Sequence, residues 1–271
     1  MSITIVNTFL IVEINISTDN IANLIKLPNP SDEVLGEYIR TDNIIGSAVG
    51  LTVSSSSQSN SYGDAIKISL MIKKTHKIDD KKIFKQTKHS QFKISTSGKI
   101  KDIFKQSLEI ALNVATNHLS LIDFKKFKNF YLKNEIHFHI PDMMVEKDGP
   151  SAGIALYLCA MSIALNKPIR NNLALTGEIS FDGSVLKIGG VRQKCQGALR
   201  YNIKHIILPM GNKDDFEKLP NDIKNCFENV YFVDNYMQVF NIAFNDDDKN
   251  ICKYDPIEMI GYLENNQIFK I

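Results

Sequence analysis

Apolar and polar positions alternate in two different rhythms along this chain, and the rhythm changes near its middle. Residues 44–53 (IIGSAVGLTV) form an apolar run with glycine punctuation, the pattern of a buried strand. Residues 65–74 (AIKISLMIKK) alternate strictly, the pattern of a strand buried on one face. The serine-rich stretch between them, 54–64, reads as a polar turn. Further on, Ile100, Ile103, Phe104, Leu108, Ala111, Leu112 and Ala115 fall at helical spacing, with Ser97 as the expected cap. Residues 135–141 (EIHFHIP) return to a strand pattern, and 151–165 are apolar on nearly every face, as in a fully buried helix. Residues 172–190 predict strand, turn and strand around an Asp182-Gly183 hairpin. A helix over 191–203, a short buried strand over 205–209, a helix near 213–226, a strand over 230–233 and a helix from about Tyr236 complete the series.

Antiparallel hairpins thus dominate up to about residue 135, and strands alternate with helices after it. The physical expectation is an α/β fold, a mixed sheet with helices packed on it. A Pro/Asn/Asp break at 27–33 (LPNPSDE) and an acidic tail give three parts: a short extension, 1–43, a main domain, 44–245, and a C-terminal tail, 246–271. The 271 residues, 44% hydrophobic and 23% charged, suffice for a sizeable core and exclude wholesale disorder. A net charge of +2 makes no demand for nucleic acid or a membrane surface. Residues 73–105 do hold eleven lysines against three aspartates. Few arginines or aromatics accompany them, so a solvated hairpin is expected there rather than a nucleic-acid patch. No apolar run is long enough to span a bilayer. Residues 3–16 are interrupted by Asn7, Thr8, Glu13 and Asn15 and read as a strand, not a signal sequence. Four scattered cysteines point to a reducing, cytoplasmic compartment. The Lys, Asn and Ile bias suits an AT-rich microbe or a large DNA virus, whose host cytoplasm would then be the site. No cofactor is expected, and no metal-ligand spacing is present.

The chemistry concentrates in Lys147-Asp148-Gly149-Pro150-Ser151-Ala152-Gly153. A serine sits among small residues where the buried helix begins. Small neighbours admit a substrate backbone, and a helix start offers unpaired N–H groups and the positive end of the dipole. Such groups stabilise an oxyanion. The plain alternative is a capped helix start with a Gly-Pro turn. A serine nucleophile needs a base, and three arrangements are open. Gly149–Gly153 fits G-x-S-x-G, but the lead-in is charged and His205 is the only histidine downstream. Ser184 and Lys187 fit S-x-x-K without its partner motifs. Lys194, in the first turn of a helix after Gly189-Gly190, serves as base if burial lowers its pKa, with Thr176 able to hold the amine.

The stretch KDGPSAGIA, followed by LTGEISFDGSVLKIGGVRQKCQGALRYNIKHIILP, closely resembles the proteolytic domain of the Lon family of ATP-dependent proteases. The family's DGPSAG, TGE and G-x-V-L-P-I-G-G-x-x-x-K motifs all have counterparts here, with the same serine-to-lysine spacing. Weaker similarity runs from about Ile44 to Asn245. The resemblance implies a ribosomal-protein-S5-domain-2-like α/β fold and a Ser-Lys dyad peptidase. It makes Ser151 the nucleophile and Lys194 the general base. Thr176 matches the family's threonine near the lysine, and Asp148 the aspartate that helps set the active or closed state. His137 and His139 match its paired histidines, with packing and hydrogen bonding as their expected role. Gly149, Pro150 and Ala152 would face the oxyanion and the substrate backbone. Lys187 stands where the family usually has proline, and Arg192 where lysine is common. No G-x-x-x-x-G-K-[ST] occurs, so no P-loop is expected here, and residues 1–43 are too short for an ATPase or substrate-binding module. The implied partners are a polypeptide substrate, a separate unfoldase and further copies of the chain in a hexamer. The alternative reading is a non-proteolytic Lon-like regulatory or scaffold module; a basic nucleic-acid-binding module is the other rival.

Overall fold

The computed structural model describes residues 2–7, 10–15, 44–55, 61–74, 94–98, 100–123, 126, 134–140 and 149–244. The chain divides into two compact units, Met1–Glu37 and Tyr38–Ile271. The first holds an antiparallel pair, β1 (Ser2–Asn7) and β2 (Leu10–Asn15), with Ser2 opposite Asn15. The single strand expected over 3–16 is therefore two.

The second unit is built on a seven-stranded sheet. Its strands are β3 (Ser47–Ser55), β4 (Ser61–Lys74), β5 (Ile94–Ser97), β6 (Asn134–His139), β7 (Leu173–Leu175), β10 (His205–Pro209) and β11 (Asn229–Val233). They lie in the order β11-β10-β7-β3-β4-β6-β5. The β3–β4 and β4–β6 pairs are antiparallel, and the other four are parallel. This is the mixed sheet that the change of rhythm predicts. The strands β8 (Glu178–Ile179) and β9 (Val185–Leu186) form a separate hairpin around Gly183, whose φ is +86°.

Helices cover both faces. α1 (Asp102–Ile122), α2 (Gly153–Leu165) and α6 (Tyr236–Phe244) bury one apolar cluster against the sheet, including Phe104, Leu112, Phe138, Leu156 and Val239. α3 (Val191–Arg200), with the short helices α4 (Lys213–Glu217) and α5 (Asn221–Lys224), buries a second. Val49, Leu51, Cys195, Ile206 and Phe216 belong to it. β10 feeds both clusters, with Ile207 on one side and Ile206 and Leu208 on the other. That explains its unbroken apolar text, the mark of a parallel strand buried on two faces. α2 is buried all round from Gly153 to Ser162, as its sequence predicts.

Three expectations change. Ser97 does not cap α1; it ends β5, and Gly98 turns the chain at φ +114°. Lys101 stands at the cap with no side-chain bond, and Asp102 fills the first turn. The strand expected from residue 172 stops at Leu175, because the Gly177 N–H bonds elsewhere, as described below. The single helix near 213–226 is two, parted at Pro220, which has no N–H to continue the ladder. Most of the lysine-rich stretch, 75–93, and the tail after Phe244 lie outside the described residues.

Candidate active site

Pro150–Ala152 form a 3-10 turn that runs straight into α2. Gly149 precedes it in extended conformation, and Pro150 supplies a preset φ to the first helical position. Ser151 is half-buried on this turn. Its carbonyl oxygen accepts two hydrogen bonds, from the Gly177 N–H at 2.8 Å and from Thr176 Oγ1 at 3.1 Å. The Ile154 N–H donates to the Gly177 carbonyl at 3.1 Å, and Ser107 Oγ to the Pro150 carbonyl at 3.2 Å. The serine backbone is thus held from both sides. The Thr176 N–H still bonds the Ile207 carbonyl of β10 at 3.2 Å, but its hydroxyl and the Gly177 N–H turn to the serine, and β7 does not continue beside β3. Gly153 lets the two backbones meet, since a Cβ there would lie 2.7 Å from the Ile179 nitrogen.

Lys194 approaches from α3. Gly190 begins that helix at φ +71°, a conformation that favours glycine. α3 lies against β4 with almost no side chain between them: a Cβ on Gly197 would fall 2.6 Å from the Asp64 nitrogen. Tyr201 Oη donates to Asp64 Oδ1 at 2.7 Å, and Arg200 Nη1 to the Gly63 carbonyl at 3.0 Å. Lys194 is only 3% exposed. Its Nζ donates to Thr176 Oγ1 at 2.9 Å. The Thr176 hydroxyl spends its own proton on the Ser151 carbonyl, so towards the amine it acts as acceptor. Burial, which disfavours the charged form, lowers the Lys194 amine from 10.5 to about 8.

Ser151 and Lys194 line one cleft of about 460 Å3. Gly149, Pro150 and Ala152 belong to the same wall. The lining also includes residues the sequence did not single out for the site: Gly50 to Val53 of β3, Ile66 and Phe104. Ile188, Gly189, Gly190, Glu178 and Lys187 complete it. Lys187, whose relation to the site the sequence left open, therefore stands on the cleft rim. Asn212, fully buried, holds the 187–190 segment in place. It accepts from the Ile188 N–H at 2.9 Å and donates to the Ile188 carbonyl at 2.8 Å and to Asp215 Oδ2 at 2.8 Å.

His137, His139, His205 and Ser184 do not line the cleft. His137 and His139 join β6 to β5 through serines. Ser95 Oγ lies 2.8 Å from His137 Nδ1, and Ser97 Oγ lies 3.0 Å from His137 Nε2 and 2.7 Å from His139 Nδ1. Neither histidine lines the cleft. His205 sits at the start of β10 beside Asn229 at 3.0 Å. Ser184 Oγ bonds Asp182 at 3.0 Å while Lys187 pairs with Asp215 at 3.0 Å, so these two are not joined as a dyad. Asp148 lies outside the described residues. Among the described residues no three His, Cys, Asp or Glu side chains cluster to hold a metal ion, and no helix is long and apolar enough to cross a membrane.

The sequence model of the Lon protease (S16) C-terminal proteolytic domain matches residues 81–246, more than half of the chain. The mitochondrial Lon protease homolog of Phaeodactylum tricornutum is 42% identical over 152 residues, which cover 56% of this chain and 17% of that protein. The mitochondrial Lon protease homolog of Drosophila melanogaster is 39% identical over 170 residues, 61% of this chain and 16% of its own length. Lon protease 1 of Borreliella burgdorferi is 41% identical over 151 residues, 56% and 18% respectively. These matches span less than a fifth of each relative's length. The residues that the family model matches, 81–246, include the serine turn, Thr176 and the Lys194 helix, and the chain belongs to the Lon protease (S16) family through its C-terminal proteolytic, serine-protease domain.

Proposed function

We propose that this chain hydrolyses peptide bonds by a Ser-Lys dyad, with Ser151 as nucleophile and Lys194 as general base. The observation that supports it most is the Lys194 amine, buried in the same cleft as Ser151, lowered to about 8 and held by Thr176. A neutral amine takes the Ser151 proton as the hydroxyl oxygen attacks the carbonyl carbon. The tetrahedral oxyanion is met by first-turn amides at Ser151 and Ala152, which have no partner within the helix. The protonated amine then returns its proton to the leaving nitrogen. Water, deprotonated by the same lysine, releases the acyl group from Ser151. Asp148, by its place before the serine, would help set whether this arrangement is open or closed, and His137 and His139 would support it by bracing β5 on β6.

The substrate is an extended polypeptide. β4 pairs with β3 all the way to Ser55, but β7 pairs with it only at Val49 and Gly50. From Leu51 onward the other edge of β3 opens on the cleft. A substrate strand adds to that edge by main-chain bonds, which requires a segment already unfolded. Flexible or unfolded proteins are therefore cut directly, and folded ones require an unfoldase. A homohexamer in the cytoplasm completes the reading.

Purified protein incubated with unfolded casein without ATP, its fragments mapped by mass spectrometry, tests the proposal beside Ser151→Ala and Lys194→Ala. Fragments from the wild type alone are expected. No fragments from any sample, together with no labelling of Ser151 by a fluorophosphonate probe, would refute it.

A further inference from the structure

Among the described residues, two charged side chains besides Lys194 line the cleft, Glu178 and Lys187. Their charges are not equivalent. Lys187 Nζ lies 3.0 Å from Asp215 Oδ2, and the same oxygen accepts from Asn212 Nδ2 at 2.8 Å. These two bonds hold the Asp215 carboxyl below the ordinary carboxylate range. The Lys187 ammonium is therefore matched by a fixed anion. Its exposure, 59%, leaves it able to swing into water, but its charge is already met.

Glu178 is not matched in this way among the described residues. Among the described residues it makes no ion pair and no side-chain hydrogen bond, although it is half-buried on the cleft wall. Its backbone position is fixed from both sides. Gly177 before it donates to the Ser151 carbonyl at 2.8 Å, and Ile179 after it packs on Gly153 at the start of α2. Ile179 is buried in the core, 1% exposed, so strand alternation turns Glu178 the other way, into the cleft. β8 is paired in turn with β9, Glu178 opposite Leu186, which fixes the backbone from which the side chain projects. A carboxylate partly withdrawn from water, without an internal partner, gains most from a cation brought in from outside. Among the described residues that line the cleft, Glu178 is then the one charge left without an ion-pair partner when the Lys194 amine is neutral.

We propose that Glu178 is a specificity determinant, and that the cleft prefers polypeptides with a lysine or arginine within a residue or two of the scissile bond. The inference rests on the peptidase reading of Ser151 and Lys194. The extended substrate lies along the open edge of β3, and its cationic side chain reaches across to the Glu178 carboxylate. Lys187, already neutralised by Asp215, does not offer an equal site for an acidic residue.

Blocked decapeptides with one central Leu and a Lys, Met or Glu scanned through the flanking positions test this. In wild-type protein kcat/KM is highest for a Lys peptide in at least one position. Glu178→Gln lowers the Lys-to-Met ratio about tenfold, the size of one charge-assisted contact. Glu178→Lys shifts the preference to the Glu peptide, which a merely structural role would not do. A uniform fall across all three peptides overturns the proposal, as does a Lys preference that survives in both variants. The same fluorescein-labelled peptides, measured by anisotropy on Ser151→Ala and on Ser151→Ala/Glu178→Gln protein, need no turnover. Tighter binding of the Lys peptide that Glu178→Gln abolishes supports the specificity even if cleavage fails and the peptidase reading falls with it. Equal binding of Lys, Met and Glu peptides, or no binding, overturns the specificity even if casein is cut.

Discussion

The buried amine of Lys194 makes a quantitative prediction about pH. Burial lowers it from 10.5 to about 8. At pH 7 about a tenth of such an amine is neutral, against roughly one in three thousand for an ordinary lysine. That is about 3 kcal/mol of differential interaction, and it comes with a cost in stability. Between about pH 8 and 10.5 the unfolded chain still holds a proton that the folded chain has shed. Stability therefore rises with pH across that window, by about 3 kcal/mol, and the penalty is fully present below pH 8. Two measurements follow. With a fluorogenic peptide at constant ionic strength, kcat/KM rises about tenfold per pH unit up to about pH 8 and then levels. Lys194→Met abolishes cleavage, yet its urea midpoint at pH 7 is above the wild type's, because no charge has to be buried. The excess disappears near pH 10. Activity that keeps climbing past pH 10 would mean the amine is not depressed. A rise centred near pH 6.5 that is lost with a histidine variant would name another base. A Lys194→Met protein less stable than wild type at pH 7 would remove the burial argument itself.

Thr176→Val keeps the shape but removes a hydroxyl that accepts from Lys194 and donates to Ser151. Peptide kinetics should show kcat down about 100-fold with KM little changed, since misplacing a base costs rate rather than binding. Asn212→Leu strands the N–H and carbonyl of Ile188, whose bonds to Asn212 are 2.9 and 2.8 Å. Urea unfolding should show a loss of about 2–4 kcal/mol, and KM should rise because the 187–190 wall loosens; an unchanged midpoint sinks this account. Ser97→Ala cuts the links to His137 and His139. It should cost about 1 kcal/mol with kcat/KM preserved, and a much larger fall in turnover would tie the histidines to catalysis.

Much of this was readable because it is written in consecutive residues. The all-apolar run 151–165 has one cheap solution, a helix buried on every side. The switch from alternating to continuous apolar text separates antiparallel from parallel strands, since a parallel strand is covered on both faces. The serine turn and the lysine helix stand out because small residues and glycines are expensive unless something needs close approach. Gly153 against Ile179 and Gly197 against Asp64 are those approaches. The mistaken cap at Ser97 had a physical cause as well. A serine ahead of helical spacing looks like a cap, but its hydroxyl has stronger local competitors in two imidazoles on the neighbouring strand.

The part that was not readable is the cleft's lining from β3. Leu51 to Val53 belong to a run that any buried strand could carry, and nothing local marks their edge as open. It is open because, more than a hundred residues later, β7 stops beside β3 at Leu175 and the Thr176 hydroxyl and Gly177 N–H bond the Ser151 carbonyl. One set of bonds thus does three things. It ends β7, it fixes the serine turn, and it uncovers the strand edge that faces that turn. Asn212 is hidden for the same reason, a polar residue in polar text whose burial comes from what it holds. Ser151 and Lys194, the proposed nucleophile and base, sit at helix starts, while Glu178 and Lys187 of the cleft come from the ends of short strands. Substitutions at Glu178 or Lys187 can therefore change what is cut without moving Ser151 or Lys194, because neither side chain takes part in the bonds that hold the dyad.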